Sequence, residues 1–202
     1  EIRINGRKIE HKDHERYQNL YSAIFPESIV VPYLLPEPNN PNYYQQLNDY
    51  LRLMQLEDHL MLFFTGLSRN AADIAKKQID VTPSKSSELK AMIDICKEAE
   101  KTLFKSDMAI MEWGRLLNEQ WKLKKSMTNL VTNSEIDCMY KKGLDSGAFG
   151  GKLLGAGGGG FLLFFVEPEK HQLVKAALDK VLHVPFNFDF SGSQIVYYSN
   201  HT

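Results

Sequence analysis

The 202 residues are 43% hydrophobic and set 24 basic against 25 acidic side chains, which supports one sizeable core or one domain with an additional arm. A net charge of −1 gives no electrostatic ground for binding nucleic acid or an anionic membrane surface. No apolar run reaches the length of a membrane span, residues 1–5 carry no secretory h-region, and Cys96 and Cys138 form no metal-spaced pair. A reducing cytoplasm is the expected setting.

Residues 1–57 are heterogeneous, and residues 33–41, with three prolines, read as a linker. Glu10, His11, Lys12, Asp13 and His14 read as a solvated charged turn rather than a metal site, since no other ligand cluster supports them. Asn42 is placed to cap a helix from Tyr43 that puts Leu47, Leu51 and Met54 on one face. Residues 60–65 predict a buried strand ending at Gly66, and Ser68 is placed to cap a helix running through Gln78.

Two long helices are predicted next. The first carries Leu89, Met92, Ile93, Cys96 and Leu103 as one apolar stripe. The second starts near Asp107 and carries Ile110, Trp113, Leu117 and Trp121. The stripe places both tryptophans in the core, and the helical periodicity does the same for Cys96 and Cys138. Lys122, Lys124 and Lys125 close the second helix, where cations complement its dipole. Ser134 opens another helix, and Gly147 closes it at the position after the cap. A strand over 161–166, an amphipathic helix from Pro168 through Val181, an alternating strand over 184–190 and a last strand over 193–198 complete the chain. Helices interleaved with four or five strands predict an α+β fold, with helices on one face of a mainly antiparallel sheet.

Seven of the thirteen glycines lie between Gly150 and Gly160. Glycine is costly in ordered structure, so such a run marks backbone that needs positive φ or must let another group come close. Unpaired N–H groups in such a turn can cradle an anion. A tight hairpin with close backbone packing is the alternative left open by the residues themselves. The segment lacks the Lys-Ser or Lys-Thr of a P-loop, and a strand rather than a helix follows it, against a dinucleotide-binding turn.

The stretch Lys152-Leu153-Leu154-Gly155-Ala156-Gly157-Gly158-Gly159-Gly160-Phe161 resembles the third signature motif of the GHMP kinases, the superfamily of galactokinase, homoserine kinase and mevalonate kinase. Residues 62–74, with Thr65, Gly66, Ser68, Arg69, Asn70 and Asp73, resemble the strand-to-helix segment of its sugar kinases. Trp121 to Lys125 with Thr132 and Asn133 also fit. Within the superfamily the likeness is to heptose 7-phosphate kinases, then to fucokinase-like domains. It covers about residues 58–198. The resemblance implies a ferredoxin-like C-terminal domain over 58–202, with 1–57 an unmatched arm or a remnant of the N-terminal domain.

It further implies an enzyme transferring the γ-phosphoryl group of ATP, with Mg²⁺, to a hydroxyl of a sugar or sugar phosphate. Gly155, Ala156, Gly157, Gly158, Gly159 and Gly160 would then border the nucleotide, and Ser68, Arg69 and Lys152 the substrate. The Gly-Leu-Gly-Ser-Ser loop and the Gly-Gly-Lys-x-Asp-Gln stretch of the family find no match, and residues 12–17 echo the latter only faintly. The chain is therefore expected to be the C-terminal part of a kinase whose N-terminal domain is its partner, and no catalytic base is assigned. The competing reading is an inactive stand-alone module that binds a metabolite or forms a homodimer.

Overall fold

The computed structural model describes residues 3–4, 7–8, 41, 43–103 and 110–189. They fall into two units, divided after Leu53 and after Phe188. In the first, β1 (Arg3–Ile4) pairs antiparallel with β2 (Arg7–Lys8). Helix α1 (Tyr43–Asp58) starts where the sequence places it and ends in the second unit.

The second unit is an α+β layer. Its sheet is made of β3 (Leu60–Phe64), β4 (Ala148–Leu153), β5 (Phe161–Val166) and β6 (Leu182–Val184). All pairings are antiparallel, in the order β4-β5-β3-β6. Counted along this unit the order is second, third, first, fourth, the arrangement of a ferredoxin-like sheet. Helices α2 (Ala71–Val81), α3 (Ser86–Leu103), α4 (Ile110–Met127) and α5 (Ser134–Asp145) separate β3 from β4, and α6 (His171–Ala177) separates β5 from β6.

Strand alternation builds the core. Met61 and Phe63 of β3 stand opposite Phe164 and Leu162 of β5, so all four point to one face. Trp121, Ile136, Tyr140 and Val174 join them there, buried. The Tyr140 ring stacks on Phe164 with centroids 5.7 Å apart, and its hydroxyl donates to Gly151 O at 3.1 Å. Burial pushes that phenol up to about 12. The approach of α4 to the sheet is glycine-dependent: a Cβ on Gly150 of β4 would lie 1.8 Å from Gly114 O of α4.

Several expectations are corrected. Helix α2 is capped by Asn70, whose Oδ1 accepts from Ala72 N at 3.1 Å, and not by Ser68. Gly66, at φ 72, turns the chain out of β3, leaving Ser68 in the approach to the helix. The helix passes Gln78 and stops at Val81, where Pro83 enters a 3₁₀ turn.

Residues 148–153 form a strand that the glycines had disguised as part of the turn. Strand β6 ends at Val184 because Pro185 has no N–H to continue a ladder. Phe186 and Phe188 nonetheless stay half-buried between exposed neighbours. Ile93 is 55% exposed, and Cys96 and Cys138 are exposed free thiols rather than core residues. Cys138 sits two residues from both Ile136 and Tyr140, which take the sheet-facing side of α5, and two helical positions rotate it away. Leu173 is likewise exposed while Val174 and Leu178 are buried.

Helix α5 ends as expected, with Gly147 at φ 116 after the cap Ser146. Trp121 is fully buried and Trp113 half-buried. The readings at residues 10–17, 33–40, Asn42, Asp107 and 190–198 lie outside the described residues.

Candidate functional site

The glycine segment is a hairpin loop, residues 154–160, between β4 and β5. Hydrogen bonds clamp its backbone from two sides. On one side Gly160 N donates to Leu67 O at 3.2 Å, while Thr65 donates to Gly160 O through N at 2.8 Å and Oγ1 at 2.9 Å. On the other, Gly158 N donates to Val131 O at 2.8 Å.

Gly157 shows what the composition is for. Its φ is +119, and a Cβ there would lie 2.8 Å from both Cα and O of Val131. A side chain would have to move backbone to fit.

Four N–H groups of the loop, those of Gly155, Ala156, Gly157 and Gly159, donate to nothing among the described residues. Neighbouring unpaired amides in a turn of mixed φ sign form a concavity suited to an anion. The half-buried loop keeps them oriented without making them inaccessible. The hairpin alternative is thus the geometry observed, and it is also one that presents free donors.

Side chains from two helices complete the clamp. Gln78 of α2 donates from Nε2 to Ala156 O at 2.7 Å. Lys124, in the last turn of α4, donates from Nζ to Leu153 O at 3.2 Å and to Gly155 O. Burial, with the Lys152 charge adding to it, pushes the Lys124 ammonium down to about 8. Neither residue was singled out as a site residue from sequence. Lys124 was visible as a cation complementing a helix end and as part of the Trp121–Lys125 resemblance, and Val131 acts through its carbonyl, for which a side chain gives no signal.

Of the substrate candidates, Arg69 reaches the loop. Its Cδ is 3.2 Å from where a Cβ on Gly158 would sit, so its stem crosses the hairpin with an exposed end. Ser68 is exposed beside it. Lys152 projects elsewhere: it lines a cavity between α3 and α4. Among the described residues no group of three His, Cys, Asp or Glu is arranged to hold a metal.

Residues 103–184 match the family model described as GHMP kinases C terminal. This segment is a GHMP kinase C-terminal domain. The chain is 37% identical over 126 residues to the D-glycero-alpha-D-manno-heptose 7-phosphate kinase of Campylobacter jejuni, covering 60% of this chain and 36% of that one. It is 26% identical over 140 residues to the bifunctional fucokinase/GDP-fucose pyrophosphorylase of Arabidopsis thaliana, covering 67% and 13%. The L. major mevalonate kinase solved with R-mevalonate superposes with a TM-score of 0.53 at 20% identity, over 61% of this chain and 40% of that one, a likeness of fold. The chain therefore spans about a third of the first relative's length and less of the second's. Within the second unit, the 62–74 segment and the glycine hairpin, far apart in sequence, meet through Thr65, Leu67 and Arg69. No helix among the described residues is long and apolar enough to cross a membrane.

Proposed function

We propose that this chain is the C-terminal domain, over residues 58–202, of an ATP-dependent kinase acting on a heptose 7-phosphate. The reading rests on one observation above others: free amides of Gly155, Ala156, Gly157 and Gly159 sit in a loop clamped by Leu67 O and Val131 O, with Arg69 crossing it. Similarity to the Campylobacter jejuni kinase supports the choice of sugar.

In the reaction a sugar hydroxyl oxygen forms a bond to the γ-phosphorus as the bond to the β,γ-bridging oxygen breaks, and the hydroxyl proton leaves to a base. Such transfer depends chiefly on positioning and on electrostatic stabilisation of spread negative charge. The hairpin contributes amide dipoles at fixed positions, needing no reorganisation as charge shifts. Arg69, beside Ser68, would take the substrate phosphate by paired hydrogen bonds. The described residues furnish no metal cage of their own; Mg²⁺ would arrive carried by the ATP phosphates. The base and the loop that wraps the nucleotide are assigned to an N-terminal domain. Two exposed free thiols, Cys96 and Cys138, suit a reducing compartment such as the cytoplasm.

The test is a chimera in which this chain's 126 matching residues replace those of the Campylobacter jejuni kinase. Phosphorylation of heptose 7-phosphate by the chimera, lost in its Gly157→Val variant and weakened in KM by Arg69→Ala, is the expected result. A folded chimera that turns over normally with Gly157→Val would contradict the role given to the hairpin.

A further inference from the structure

Between α3 and α4 lies a cavity of about 360 Å³, apart from the hairpin and unused by the kinase reading. Ala99 and Leu103 of α3 and Trp113, Leu116 and Leu117 of α4 give it an apolar wall. The two helices are held around it by polar bonds of their own. Trp113 Nε1 donates to Ala99 O at 3.0 Å, and Gln120 Nε2 donates to Met92 O at 2.9 Å and to Cys96 Sγ at 3.2 Å. The walls are thus fixed without filling the space. At about 30 Å³ for each water-sized volume, the cavity holds roughly a dozen such volumes, within the range of small-molecule pockets.

Lys152 reaches into this space from β4. Its ammonium has no hydrogen-bond or ion-pair partner among the described residues. The other cation near it, Lys124, is committed to two carbonyls at the base of the hairpin. Among the cavity's lining groups, Glu100 supplies the carboxylate, but it is exposed on the helix surface and makes no bond to Lys152. Cys96 lines the same space and favours the Lys152 charge, but a half-buried cation with no ion-pair partner and a second cation beside it is still short of a negative charge.

We propose that the α3–α4 cavity binds a small amphiphile with one anionic head, the head meeting Lys152 and an apolar body of about ten carbons lying along Trp113, Leu116 and Leu117. Burial holds the Lys152 ammonium below its ordinary value, and an anion there would raise it again. The site shares no residue with the loop that borders the nucleotide; Lys152, which the resemblance set beside the substrate, lines this cavity.

The test is calorimetric titration of the 202-residue chain with decanoate, decyl phosphate and the neutral decanol, together with ¹⁵N spectra of the Trp113 indole. Saturable one-to-one binding of an anionic probe that moves the Trp113 indole signal is expected, the tighter of the two naming the head. Lys152→Met should weaken the anionic probes about tenfold, the scale of a charge-assisted bond, and leave decanol within about twofold. Lys152→Arg keeps the charge and should keep the affinity. Ala99→Phe, which fills the cavity, should remove binding of all three. Absence of saturable binding to the unaltered chain overturns the proposal. So does equal affinity of decanoate and decyl phosphate for Lys152→Met and the unaltered chain, or a loss on Lys152→Arg as large as on Lys152→Met.

Discussion

The glycine hairpin and the α3–α4 pair belong to the same unit and are held together by different means. The hairpin is fastened through its own backbone, chiefly to the backbone of Leu67, Val131 and Thr65, with the Thr65 hydroxyl, Gln78 and Lys124 reaching its carbonyls from outside. The helix pair is fastened by side chains reaching carbonyls, Trp113 to Ala99 O and Gln120 to Met92 O, around space that is left open. Backbone clamping fixes donors closely but tolerates no added atom. Side-chain clamping tolerates substitution and can enclose a ligand. Intolerance should therefore be concentrated at the loop, and the contrast can be broken by mutation.

The largest effect is expected at Gly157→Val. Positive φ and a 2.8 Å approach to Val131 backbone combine strain with overpacking, and unfolding free energy by urea titration should fall by about 4 kcal/mol. A loss below about 1 kcal/mol would mean that the clamp yields. Gln120→Ala takes away two bonds across the helix pair and should cost about 1.5 kcal/mol, with the hairpin amides unmoved in ¹⁵N spectra. Movement at the loop would show the regions to be coupled.

A pH effect comes next. Lys124 stands at about 8 against an ordinary 10.5, because burial outweighs its two carbonyl bonds. Between those values the folded chain binds fewer protons than the unfolded chain, so stability should rise with pH from about 8 to 10.5. Denaturation midpoints across that window should rise less steeply in Lys124→Met; an unchanged slope would assign the titration to another group. Smallest of all is Ile93→Ser: with Ile93 55% exposed, stability should change by less than about 0.5 kcal/mol, whereas a core position would cost several times more.

Much of this contrast is legible in the residues. Continuous apolar runs in β3 and β5 marked strands whose limits the structure reproduces almost unchanged, and Gly147 announced the end of α5. Strand β4 was hidden because Gly150 and Gly151, chosen for close approach to α4 and to the Phe164 ring, look like turn residues. Helix α3 misled in the opposite sense. Its stripe has helical period, but period does not say how much of a stripe a partner covers, and α4 covers only part. The cap moved from Ser68 to Asn70 because Leu67 is held by the hairpin, a long-range bond that no local pattern encodes. The hairpin's glycines could be read from sequence; Gln78, Lys124 and Val131 around them could not, since their roles exist only once distant segments meet.

The most direct measurement is an ATP titration of the ¹⁵N-labelled chimera, followed at the loop amides. Ala156, Gly157 and Gly159, whose N–H groups are free, should shift strongly, while Gly158 and Gly160, already bonded to Val131 O and Leu67 O, should shift little. Saturable ATP binding with all five signals unmoved would contradict a nucleotide-facing role for the hairpin.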